Sequence, residues 1–186
     1  MNPRIRLPIL VLAVSSLACT VFVGGPALPD PPVSSSPEAF ATMQATLAQA
    51  VLESLLDGTL DLTFTQEQMT AYLTSWLSTQ KNPIISQPQV VFGEQEVVVY
   101  GRTRTWIFEA NVAATAEFEV ADSGLPQILI SRVQVGPLPM PKVIRETVAA
   151  AVDEALTGYL GPVAIGFRLE HIEILGGVMT VSGRLR

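Results

Sequence analysis

TWIFEANVAATAEFEV, residues 105–120, has an apolar side chain at every even-numbered position, and its odd-numbered positions are mostly Thr, Glu and Asn. Successive side chains of a strand point to opposite faces, so the pattern predicts a strand with one buried and one solvated face. Strands usually have about five or six residues, whereas this one spans roughly 50 Å at about 3.3 Å per residue. Its predicted buried face consists of Trp106, Phe108, Ala110, Val112, Ala114, Ala116, Phe118 and Val120.

Turn signals on both sides of this stretch predict its partners in an antiparallel sheet. Asp122-Ser123-Gly124 reverses the chain into a return strand at residues 127–135, since glycine suits a turn position with positive φ. Upstream, residues 88–92 and 96–100 are predicted to form two strands joined by Gly93-Glu94-Gln95.

Two helices separated by a short strand are predicted before this sheet. The first covers residues 37–57, and its predicted apolar face consists of Phe40, Met43, Leu47, Val51 and Leu55 at three- and four-residue steps. The alternating strand Thr59–Phe64 follows. Thr65 and Gln68 then form a capping box that opens the second helix, and Asn82-Pro83 ends it.

A third helix and a hairpin complete the chain. The helix is predicted over residues 141–157, ending before Gly158 or Gly161-Pro162, because both residue types disfavour a helix interior. Residues 164–175 and 178–185 form the closing hairpin around two glycines. This order of elements predicts an α+β fold with an antiparallel sheet.

The N-terminus has the features of an export signal. Arg4 and Arg6 precede the apolar run Leu7–Val14, and small residues lead to Ala18-Cys19. The end of the segment resembles a bacterial lipobox, which implies removal of residues 1–18 as a lipoprotein signal peptide and attachment of lipid to Cys19. A plain signal peptide and an uncleaved signal anchor remain alternatives.

Residues 19–37 are predicted to be a lipidated N-terminus followed by a linker, before a single domain at 38–186. The segment contains five prolines and the run Ser34-Ser35-Ser36, a composition typical of extended chain that packs poorly. Fully extended, about 18 such residues reach roughly 55 Å.

The charge and hydropathy of the chain restrict its partners. Removal of residues 1–18 takes away two arginines and shifts the formal charge from −6 to about −8. A net negative charge disfavours binding to nucleic acid and electrostatic docking on anionic lipid. No later stretch has the length of a membrane-spanning helix. We therefore expect an extracytoplasmic protein tethered to the bacterial cell membrane through its lipidated end, with no nucleic-acid partner and no identifiable protein partner.

The sequence contains no recognisable catalytic, cofactor or metal motif. His171 is the single histidine, and no partner that could make it a catalytic base is evident. Zinc sites draw on several His or Cys ligands, so none is expected. Glu109, Glu117 and Glu119 share the polar face of the long strand, where solvated carboxylates are the ordinary interpretation. We expect a protein that is not an enzyme and has no cofactor.

The predicted buried face of the long strand has large side chains at its ends and small side chains at its centre. This pattern has two interpretations. Alanines at 110, 114 and 116 can let a helix approach closely, as in ordinary cores. They can also leave an apolar groove that holds an acyl chain. On the second interpretation the ligand-binding residues are Trp106, Phe108, Val112, Ala114, Phe118, Ile144, Val148 and Val152, and a tryptophan at Ala114 reduces loading without unfolding.

From about residue 58 onward the chain resembles the YpmS-like membrane-anchored bacterial proteins and, more distantly, the LmeA-like members of the TULIP-like (tubular lipid-binding) superfamily. The resemblance rests on Leu62–Met69, Val97–Gly101, Val135–Pro141, Gly176-Gly177 and Val181–Gly183. It implies a long curved antiparallel sheet wrapped around a helix, with an apolar interior that binds lipid by shape and no catalytic residue.

These observations lead to one functional expectation and one alternative. We expect a non-enzymatic lipoprotein that binds a lipid or another long apolar ligand between the long strand and the third helix. The alternative is an envelope protein-interaction or scaffold module, which has a filled core and no ligand.

Overall fold

The computed structural model describes residues 21–104, 108–137 and 142–186. The predicted α+β class is confirmed, because a strongly curled, antiparallel-rich sheet forms a half-barrel packed against helices. The signal sequence, Cys19 and Trp106 lie outside the described residues. Within them, the elements are β1 Val21–Phe22, α1 Pro37–Asp57, β2 Thr59–Thr65, α2 Gln66–Thr79, β3 Ser86–Phe92, β4 Glu96–Arg104, β5 Phe108–Val120, β6 Pro126–Val135, α3 Lys142–Gly166, β7 Phe167–Leu175 and β8 Val178–Leu185.

The long strand β5 is the centre of the main sheet. β4 pairs antiparallel with one of its edges, from Glu96 opposite Glu117 to Arg104 opposite Glu109. The other edge is shared, because β6 pairs with it from Val112 onward and β1 pairs parallel with it at Phe108 and Glu109. β3 completes this sheet beside β4, and β2, β8 and β7 form a second, three-stranded antiparallel sheet.

The predicted alternation of β5 holds over most of the described strand, except at Ala113, which is buried although it lies on the predicted polar face. Ala110, Val112, Ala114 and Ala116 are almost completely buried, and Phe118 is buried beside them. The second sheet contributes the inward side chains of β2, which are Leu60, Leu62 and Phe64 and are also fully buried. Both sheets therefore share one apolar core.

The helix starts follow the capping signals in the sequence. The hydroxyl of Ser36 accepts a hydrogen bond from the Ala39 amide at 3.1 Å, which caps α1. The predicted capping box of α2 is present: the Gln68 amide donates to Thr65 Oγ1 at 3.3 Å, and the Thr65 amide donates to Gln68 Oε1 at 3.0 Å. α2 ends at Thr79, slightly before the predicted stop.

The third helix is longer than its sequence predicts. The expected end before Gly158 or Gly161-Pro162 is wrong, since α3 continues to Gly166 and leads directly into β7. Glycine and proline cost about 1 and 3 kcal/mol in a helix interior, and tertiary packing can override such local penalties. The apolar face of α3 is confirmed at Val148, Val152 and Ala155, which are buried.

The outer edge of β3 is covered by α2 through side-chain hydrogen bonds. The buried Thr70 hydroxyl accepts a bond from the Val90 amide at 2.9 Å, and Gln66 Oε1 accepts one from the Phe92 amide at 3.0 Å. An open sheet edge invites pairing with other chains. These two contacts satisfy its amides and position α2 against the sheet.

Replacing Thr70 with valine is expected to lower the free energy of unfolding by about 1–3 kcal/mol, because the buried Val90 amide loses its acceptor while the side-chain shape is preserved. Urea denaturation measures the change. The control is Thr79→Val, since the Thr79 hydroxyl is exposed and donates only to the Trp76 carbonyl. Equal effects of the two substitutions would contradict this role of Thr70.

Candidate apolar ligand site

An apolar groove of about 130 Å³ lies between α2, the segment that follows it, and the middle of α3. We call it the α2–α3 groove. Its apolar walls are formed by Leu73, Trp76 and Leu77 of α2, Pro83, Ile84 and Ile85 of the connecting segment, Pro88 and Val99 of the sheet, and Ala151, Val152 and Ala155 of α3. Its polar lining residues are Gln80, Asn82 and Glu154, which are all exposed to solvent.

One wall of the groove depends on a glycine of β4. A Cβ atom at Gly101 would overlap Cγ2 of Ile85 and lie 3.0 Å from the Ser86 carbonyl oxygen. Glycine therefore lets the connecting segment approach the sheet closely enough to bury Ile85, while Ile84 stays partly exposed. This packing holds the segment against the open side of the half-barrel.

The two helices that flank the groove are joined by Tyr72. Its hydroxyl donates a hydrogen bond to the Ala155 carbonyl oxygen at 3.1 Å. Burial raises the pKa of Tyr72 above its ordinary value of 10.0, so the phenol stays protonated and able to donate at physiological pH. This hydrogen bond connects α2 to Ala155, which lines the groove.

The size and lining of the groove decide what it can hold. An apolar cavity of about 150 Å³ accommodates a benzene molecule, so the α2–α3 groove fits one ring or a short length of a single alkyl chain. Its walls offer no charged side chain other than Glu154 at the exposed margin. Such a lining offers mainly apolar contacts to a molecule of this size.

Most of the ligand residues predicted from the sequence do not line the α2–α3 groove. Val112, Ala114, Phe118 and Val148 are buried in the packed core, and Phe108 is partly buried against it. Trp106 lies outside the described residues, and so does the side chain of Ile144. Of the eight predicted residues, Val152 is the one that the structure places in the wall of the α2–α3 groove.

The groove was missed because the sequence signals of its walls are shared with ordinary core packing. Trp76 and Leu77 continue the apolar stripe of α2, and the apolar run Ile84-Ile85 follows Pro83. The expected groove lay between β5 and α3, but α3 packs mainly against β6. No pattern in either helix predicts the contact between Tyr72 of α2 and Ala155 of α3.

Charged groups elsewhere in the described residues form structural contacts. Arg102 pairs with Glu109 across the β4–β5 ladder at 3.5 Å, and Arg184 pairs with Glu170 at 3.1 Å. His171 is exposed on β7. In the described ranges no group of three or more His, Cys, Asp or Glu side chains could hold a metal ion. None of the helices between residues 21 and 186 that the structure describes is long and apolar enough to cross a membrane.

Comparison with known proteins adds no homologue to this description. No protein-family model matches the chain, and a search of curated proteins gives no match.

Proposed function

We propose that the chain is a non-enzymatic extracytoplasmic lipoprotein, anchored through Cys19, which binds an alkyl chain or a ring of an apolar ligand in the α2–α3 groove. The observation that carries the proposal is the groove itself, with apolar walls and polar residues only at its exposed margin. Ligand sites of this kind combine apolar walls with few polar groups. The lipobox-like segment ending at Cys19 supports the location.

The size of the groove limits the affinity and therefore the kind of ligand. Each buried methylene contributes about 0.8 kcal/mol, so about four methylenes contribute roughly 3 kcal/mol. A dissociation constant of 1 mM corresponds to about 4 kcal/mol. Binding this weak suits a ligand that is already concentrated in the membrane, such as one acyl chain of a lipid, better than a two-chain lipid carried through solution.

A second candidate function is protein interaction through α1. Leu52, Leu55 and Leu56 are 65%, 63% and 89% exposed, and their spacing places them on one helix face. Leu55 belongs to the apolar face predicted from the sequence, yet the structure leaves it exposed and buries Ala50 and Ser54 instead. An exposed apolar stripe of this kind favours contact with another protein. Cross-linking from α1 in intact cells, compared with a Leu56→Glu variant, tests this function.

Ala151→Trp is expected to raise the dissociation constant of a dansyl-labelled fatty acid at least about tenfold, because the indole fills a groove that holds a single ring. Ala151 is partly exposed and lines the groove, so the domain should still fold. Fluorescence titration of the purified protein measures the effect, and thermal unfolding monitors stability.

Ala150→Trp is the matched control, since Ala150 is the preceding residue of the same helix and is exposed outside the groove. The control should bind the probe like the unmodified chain. Loss of binding in both variants, or in neither, would contradict the groove as the site.

A further inference from the structure

The segment before α1 is attached to the sheet by its backbone. The Val23 amide donates to the Glu109 carbonyl at 2.9 Å, and the Asn111 amide donates to the Gly24 carbonyl at 2.9 Å. The Asn111 side-chain amide also donates to the Pro26 carbonyl at 3.1 Å. These bonds continue the β1–β5 pairing and hold the segment on β5.

The same segment has a second attachment on the opposite side of β4. The Val33 amide donates to Gln89 Oε1 on β3 at 3.0 Å. The Ser35 hydroxyl donates to the Thr74 hydroxyl on α2 at 3.1 Å. The segment therefore passes from β5 to β3 before α1 begins. Hydrogen bonds therefore hold the two ends of residues 21–35 on the sheet and on α2, although none of these residues is buried.

Gly25 makes this close approach possible. Its φ is +132°, and a Cβ atom there would lie 2.6 Å from the Asn111 carbonyl oxygen and 3.0 Å from the Gly136 Cα. Both neighbours are backbone atoms, which cannot move without shifting the sheet backbone. The attachment therefore requires glycine at position 25.

The attachment of β1 limits the length of free chain between Cys19 and the sheet. Cys19 is two residues before Val21, and two residues of chain span at most about 7 Å. An acyl group on Cys19 therefore starts within about 7 Å of β1, instead of at the end of a free linker of roughly 55 Å.

The end of the sheet around β1 presents an apolar edge with basic neighbours. We call it the N-terminal rim and define it as Val21, Phe22, Arg102, Arg104 and Glu109. Val21 and Phe22 are 60% and 54% exposed, and successive residues point to opposite sheet faces. Phe22 and Arg104 are both register partners of Glu109, so they flank it on neighbouring strands.

We propose that the N-terminal rim rests on the membrane leaflet that holds the Cys19 acyl group, with Val21 and Phe22 inserted between lipid headgroups. The inference rests on the lipid anchor of the proposed function. Aromatic and aliphatic side chains favour the boundary of the acyl region, and insertion of about 5–10 Å is typical of interfacial segments. The net negative charge of the domain gives no general attraction to anionic lipid, so the rim and the anchor determine the orientation.

This orientation brings the α2–α3 groove close to the bilayer. The connecting segment that forms one wall enters β3 at Ser86, whose register partner is Arg102 of the rim. Three strand spacings of about 4.8 Å separate β1 from β3, which is roughly 14 Å along a flat sheet and less along a curled one. A lipid chain that leaves the leaflet at the rim therefore has a short path to the groove.

The test places the lipid on Cys19 chemically, so it does not depend on native acylation. The mature chain beginning at Cys19, which retains every described residue, is coupled through this single thiol to a maleimide lipid in phosphatidylcholine vesicles. Trp76 and Trp106 are replaced with Phe, and Phe22→Trp supplies the reporter. We expect its emission to fall at least about twofold when the lipid chains carry bromine, because insertion reaches the acyl boundary.

The control reporter is Leu175→Trp, which is exposed at the other end of the molecule. The Ile174 carbonyl accepts a bond from the Gln95 amide in the β3–β4 turn, and β4 extends about 27 Å from that turn to Arg104. We expect no bromine quenching at position 175. Equal quenching of the two reporters, or none at position 22, overturns the proposed orientation.

Arg104→Trp, used as the reporter in place of position 22, separates the docked segment from the lipid anchor, since residue 104 is far from Cys19 in the sequence. Gly25→Val in this background should detach the segment and reduce quenching at position 104, and quenching that persists unchanged overturns the role of the attachment. Circular dichroism confirms that each variant is folded. Intact-mass analysis of the native protein extracted from membranes tests acylation of Cys19 separately. A mass without lipid counts against the proposed anchor and not against the rim geometry.

Discussion

Replacing Ala114 with tryptophan is expected to lower the free energy of unfolding by about 3 kcal/mol or more. Ala114 is 1% exposed, and its register neighbours on both sides are the apolar residues Val99 and Val133. Packed cores accept extra volume only by distorting side chains and backbone. The sequence suggested that a tryptophan here would reduce ligand loading without unfolding, and the packing now predicts a loss of stability instead.

Glu117→Trp is the matched control for this substitution. Glu117 lies on the same strand, faces outward and is exposed, so a tryptophan there should change stability by no more than about 0.5 kcal/mol. Guanidinium denaturation followed by circular dichroism measures both variants. A stable Ala114→Trp protein with reduced probe binding would show instead that the inward face of β5 borders a cavity.

Phe64→Ala is expected to cost about 3–5 kcal/mol of stability, which is the usual range for removing a fully buried phenylalanine. Phe64 has no exposed surface and lies on β2, immediately before the residue that caps α2. Its loss therefore leaves a cavity between the second sheet and the helices. The cost exceeds that expected for Thr70→Val, since many more contacts are removed.

Leu56→Ala provides the comparison for this cavity. Leu56 is 89% exposed on α1, and removing its side chain should change stability by about 0.5 kcal/mol or less. Thermal unfolding of the two variants in parallel measures the difference. If Leu56→Ala proved as destabilising as Phe64→Ala, α1 would have a partner in solution, as the second candidate function requires.

Two structural features connect the proposed function to the membrane. The α2–α3 groove is too small for a whole lipid, and the docked N-terminal segment leaves little free length for a tether. Together they favour a protein that contacts lipid chains at the surface of one membrane. A carrier that shuttles lipid between membranes needs a larger cavity and a longer tether.

Local signals predicted most of the secondary structure. The alternation in β5, the capping box at Thr65 and Gln68, and the turn at Gly124 each depend on a few neighbouring residues, so the sequence by itself determined them. Alternation reports that a face is buried, and that part of the interpretation of β5 is confirmed. It does not report what covers the face.

Only the tertiary structure decided where a ligand could bind. The groove lies between α2 and α3. The hydrogen bond that links these helices, from Tyr72 to Ala155, connects residues 83 positions apart in the sequence. Helical periodicity does not predict such a long-range contact. The attachment of residues 23–35 likewise depends on hydrogen bonds to distant residues, which their proline-rich composition does not predict. Side-chain pattern determines which surfaces must be buried, whereas packing between distant elements determines which surfaces remain open.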